Sequence, residues 1–156
     1  MVHKSNQIMV KSIFSSDIQH PRASLPILWL RIVGGGFMLS HGIPKLMKLF
    51  GDGPIQFADP FGIGPAATLA LTVFAEVFCA LLILIGFKTK AATVPLIITM
   101  LVAALIIHGA DPFGDKEMAL LYLAIYFSLF FLGSGSYSVD AALSKNVLHK
   151  EVKDKS

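Results

Sequence analysis

Four long apolar runs, parted by three short polar gaps, dominate the pattern of the chain. The first begins at Leu25 and reads LPILWLRIVGGGFMLSHG, interrupted only by Arg31 and His41. The second, Ala66 to Phe87, holds a single charge at Glu76, and the third, Ala91 to Ile107, holds none. The fourth, Met118 to Leu132, is short and borrows flanking residues. A helix crosses the hydrocarbon layer in about 20 residues, which predicts spans near 25–43, 66–87, 91–107 and 117–133. Buried helices of a soluble all-α bundle would show a polar face every few positions, and these runs do not. The expected fold is all-α: an integral membrane bundle of four transmembrane helices over 25–140, with tails at 1–24 and 141–156.

Composition agrees. Of 156 residues, 54% are hydrophobic and 15% charged, against roughly 45–50% and about 25% in average soluble chains. A formal charge of +3 calls for no nucleic acid. Basic residues beside apolar spans suit anionic lipid headgroups instead. Lys4, Lys11, Arg22, Lys88, Lys90 and the four C-terminal lysines from Lys145 onward share one side, nine in all. Lys45, Lys48 and Lys116 make three on the other. Lys and Arg favour the cytoplasmic face, so both ends are expected in the cytoplasm and the protein in a bacterial inner membrane. No cleavable signal sequence is apparent before the first span. Residues 8–18 form a weakly amphipathic segment suited to the membrane surface, and Asp140 is placed to cap a last helix.

Two polar groups stand where polarity is expensive. An acid deep in a bilayer costs about 2.5–3.5 kcal/mol or more unless paired, and Glu76 sits mid-span. Arg31 is the expected partner, since helical rise puts it about 9 Å above Leu25 and Glu76 about 16 Å above Phe87. The pair reads either as a helix clamp or as a polar seat for a quinone head group or proton path. Cys79, one turn away, reads as a packing residue; with a single cysteine, the chain has no dithiol pair. A second polar group gathers on the outer face: His41, Lys45, His108, Asp111 and Glu117. Pro44 is expected to end the regular part of span one at His41. No H-x-x-H or H-x-x-x-H spacing supports a metal site.

Gly34, Gly35 and Gly36 inside span one suit close helix approach. The tetrapeptide DPFG occurs at 59–62 and 111–114, each with the signature of a type I turn. Two copies on one side suggest a pseudo-repeat of two helical hairpins.

These residues resemble the DoxX family of small bacterial membrane proteins. The likeness rests on Arg31, HGIPKL at 41–46, GIGP at 62–65, Glu76 within FAEVFCALLILIGFKTKAA, Glu117, and GSGSYSVD at 133–140. The family takes its name from a subunit of a thiosulfate:quinone oxidoreductase, so the resemblance implies a membrane redox setting. It marks Arg31, His41, Lys45, Glu76 and Glu117 as site candidates, quinone as candidate ligand, and redox-complex subunits as candidate partners. The chain shows no haem or flavin motif of its own. Three readings follow: a quinone-associated redox subunit, a non-catalytic anchor or assembly partner, and a small-molecule conduit formed by a homo-oligomer.

Overall fold

In the computed structural model, which describes residues 21–145, every regular element is helical and no strand occurs among those residues. Helix α1 spans Pro21–Leu49. Helix α2 runs over Pro65–Ile85 and α3 over Thr89–Ile107. Helix α4 is Phe113–Leu132, and a short α5 occupies 139–145. The amphipathic segment expected at 8–18 lies outside the described residues. Helices α1, α2 and α3 are long and apolar enough to cross a membrane. Helix α4 has 20 residues, but its first turn carries Asp115, Lys116 and Glu117.

Consecutive long helices pack on one another and α4 closes back onto α1, so the four form a ring. Glycines set the spacing. A Cβ on Gly34 would lie 2.8 Å from Ile125 of α4, and one on Gly35 2.9 Å from the Ala80 carbonyl of α2. Gly36 meets nothing within 4 Å, so only two of the three glycines serve close approach. Tyr126, fully buried, donates from its hydroxyl to the Gly34 carbonyl at 3.0 Å and ties α4 to α1.

Pro44 does not stop α1, contrary to the expectation that the span ends near 43. The helix continues one and a half turns to Leu49. Proline removes one N–H and crowds the preceding turn, yet membrane helices tolerate it where nearby groups take up the freed bonding. Ser40 turns its hydroxyl back to the Phe37 carbonyl at 2.6 Å, one turn before the proline.

The two DPFG copies diverge. In the first, the Gly62 N–H donates to the Asp59 carbonyl at 3.4 Å, closing a turn. The Asp59 carboxylate then accepts from the Ile63 and Gly64 N–H groups and the Thr68 hydroxyl. In the second, Phe113 and Gly114 already belong to α4. A shared tetrapeptide here has two conformations, so it carries no support for a hairpin repeat.

At the other end, α2 finishes with a Schellman pair, Gly86 N–H to the Ile83 carbonyl and Phe87 N–H to the Leu82 carbonyl. Asp140 clamps the turn that follows. Its N–H donates to the Gly86 carbonyl and its carboxylate accepts from the Lys88 N–H, each near 3 Å. The cap of α5 is therefore Ser138, whose hydroxyl oxygen accepts from the Ala141 N–H at 3.1 Å, and not Asp140 as its position suggested.

Desolvation raises the Asp59 carboxyl pKa, but hydrogen bonds from Gly64, Thr68, Ile63 and Gly62 outweigh it and hold the value below the ordinary 3.8. A depressed folded value stabilises above the unfolded pKa and loses that contribution as pH falls through the folded one. Asp59→Ala should therefore melt below wild type at neutral pH, and the gap should close in acid below about pH 4.

Candidate functional site

Arg31 and Glu76 do not meet. Helix α1 runs antiparallel to α2, with Arg31 level with Ile83 and Leu84 and Gly42 level with Glu76. Seven residues of α2 separate Glu76 from Ile83, about 10 Å of helical rise, beyond the pairing expected from span lengths alone. Each side chain has other partners.

Arg31 is 2% exposed and is spent on main-chain carbonyls. Its Nε donates to Ile83 at 2.9 Å and one terminal nitrogen donates to Leu84 at 2.9 Å. The other donates to Ser134 at 2.9 Å and Tyr137 at 2.7 Å. The planar fork of a guanidinium serves several acceptors at once. Gly86, at φ 72°, leaves room for it, since a Cβ there would fall 2.6 Å from Arg31 Cζ. Arg31 thus joins α1 to the end of α2 and to the 133–138 segment.

Glu76 lies in a π-helical stretch of α2, Phe74–Cys79. Lys45 Nζ donates to both of its oxygens, at 2.6 Å and 2.5 Å. The Glu76 side chain is 4% exposed and that of Lys45 30%. Lys45 reaches this acid because α1 persists beyond Pro44. A Cβ on Gly42 would sit 2.7 Å from the Glu76 carbonyl, so the backbones are close where the pair forms. Cys79 is unpaired and packed in the core beside it.

Above the pair opens a pocket of about 200 Å³ to which all four long helices contribute. Its polar wall is His41, Lys45, Glu76, His108, Asp115 and Tyr122. Its apolar wall is Met38, Met100 and Met118 with Ala103 and Ala119. The expected outer-face group is therefore met in part: His41, Lys45 and His108 line one pocket with Glu76. Asp111 stands behind His108, its carboxylate 2.9 Å from Nδ1. Glu117 is exposed and is not part of the lining. Asp115 and Tyr122 take its place. Helical periodicity carries that signal, because 115, 118, 119 and 122 recur at the spacing of one helix face while 117 does not. On α1, 38, 41 and 45 do the same. Both π-helical stretches border the pocket, through Glu76 and through Ala103 at the start of Ala103–Ile107. Such bulges re-aim side chains and recur at functional sites. Among the described residues, no group of three or more His, Cys, Asp or Glu could hold a metal ion.

Three apolar helices of membrane-crossing length, carrying a buried ion pair and a polar pocket, define an integral membrane protein. The DoxX family model matches residues 27–109, and the chain belongs to the DoxX family. It is also 33% identical over 142 residues to the uncharacterised membrane protein Rv3486 of Mycobacterium tuberculosis, covering 81% of this chain and 86% of that one. No solved structure matches.

Two stability predictions follow from the polar contacts. Arg31→Lys cannot serve four carbonyls and should cost about 3–5 kcal/mol in unfolding measurements, given about 1.5–3 kcal/mol for each hydrogen bond to a charged group. Lys45→Met should cost a similar amount, about 3–5 kcal/mol, by stranding the buried carboxylate, and adding Glu76→Gln should recover much of it. A cycle in which the two losses simply add would mean the groups are not coupled.

Proposed function

We propose that this DoxX-family protein crosses a bacterial inner membrane four times with both ends cytoplasmic, and seats a quinone head group for a membrane redox complex. The Lys and Arg asymmetry supports the orientation. The length of α4 supports a fourth crossing, with its charged first turn at the membrane–water boundary. The observation that carries the functional reading is the pocket itself. A buried ion pair, two histidines and a phenol face three methionines across about 200 Å³. An apolar cavity of about 150 Å³ accepts a benzene ring, so the size suits one substituted six-membered ring. Apolar walls with a few convergent polar groups are the usual composition of a small-molecule site. Methionine adapts to a flat ring and makes favourable sulfur–aromatic contacts. With one cysteine and no cofactor motif in the chain, electrons would belong to partner subunits.

A second reading, a non-catalytic anchor, is favoured by Arg31. Its donors go entirely to carbonyls of this chain, which is the behaviour of a clamp rather than a site.

Binding of an absorbing quinone analogue to the purified protein in mild detergent separates the two. Wild type should bind saturably, with Glu76→Gln and Lys45→Met weakening binding by about ten-fold, the scale of a lost hydrogen bond. Absence of binding by a wild type with an intact melting transition would favour the anchor.

A further inference from the structure

One donor on the pocket wall is uncommitted. Tyr122 is 7% exposed, yet its hydroxyl makes no hydrogen bond with any described residue. Tyr126, one turn along α4, differs: its hydroxyl is taken by the Gly34 carbonyl. Buried polar groups are seldom left unpaired, because their desolvation then goes uncompensated. The orientation of the Tyr122 ring is held from two directions. Tyr126 stacks against it with centroids 6.0 Å apart and planes at 14°. His41 meets it edge-on at 5.8 Å and 87°. The hydroxyl is therefore a fixed donor beside the pocket, not a swinging one. Lys45, by contrast, commits two of its three donors to Glu76.

We propose that Tyr122 is the specificity-determining residue of the pocket, donating its phenolic hydrogen bond to a carbonyl oxygen of the bound ring. This rests on the reading of the pocket as a ring seat and adds the class of ring that it takes. A site with a buried donor rejects an analogue that lacks the matching acceptor, because the donor is then stranded. The pocket thus prefers a carbonyl-bearing ring to a hydrocarbon ring of equal size.

Tyr122→Phe removes one oxygen and keeps the ring between His41 and Tyr126. Calorimetric titration of the full chain in detergent with a short-chain benzoquinone and an alkylbenzene of matched size reads the effect. Wild type should favour the quinone by about ten-fold, and the substitution should abolish that preference while leaving alkylbenzene affinity unchanged. Unchanged quinone binding, or an equal loss for both probes, overturns the role of Tyr122 and leaves the seat standing. Equal affinities in wild type overturn it too, even if the variant does not fold. A wild type that binds neither probe overturns the seat and the role of Tyr122 together.

Discussion

The ion pair between Lys45 and Glu76 joins α1 to α2 at the level where the pocket opens. An acid this deeply buried is tolerated only with a close counter-charge, and that requirement reaches far along the chain. Helix α1 must persist past Pro44 to carry Lys45 to Glu76. The two backbones must approach at Gly42, where any side chain would collide with the Glu76 carbonyl. Helix α2 must present the acid inward, which it does from its π-helical stretch. With the pair in place, Met38 and His41 on the same face of α1 turn toward α3 and α4, and the pocket wall is complete.

The opposite end of α2 is organised by a charge of the other sign and with the other outcome. Arg31 finds no carboxylate in hydrogen-bonding reach and takes four carbonyls from two segments, while Asp140 holds the neighbouring turn. Nothing there is left over for a ligand. One end of the ring of helices is closed by satisfied bonds and the other is open with unused ones. That contrast lets the clamp and the proposed ring seat coexist in a single small membrane protein.

The helical, membrane-spanning character was legible in the sequence because bilayer thickness acts on every residue of a span. The candidate residues His41, Lys45, His108 and Glu76 were legible as polar groups in costly places. Their pairing was not. Matching Arg31 to Glu76 depended on knowing where α1 ends, and Pro44 suggests a stop that tertiary packing overrides. The choice of Glu117 over Asp115 followed the acid nearest the apolar run, whereas the helix face through Ala119 and Tyr122 selects Asp115. The repeated DPFG misled because a tetrapeptide does not determine its own conformation. Its surroundings made one copy a turn and the other a helix start.

Photolabelling places a ring in the molecule most directly. A quinone analogue with a photoreactive group on the ring, applied to the full chain in lipid bilayers, would be mapped by peptide mass spectrometry. The proposed seat predicts saturable labelling at Met100, Met118 or His108, suppressed by excess unmodified quinone. Labelling scattered over lipid-exposed residues such as Trp29 and Phe37, and indifferent to competitor, would contradict it.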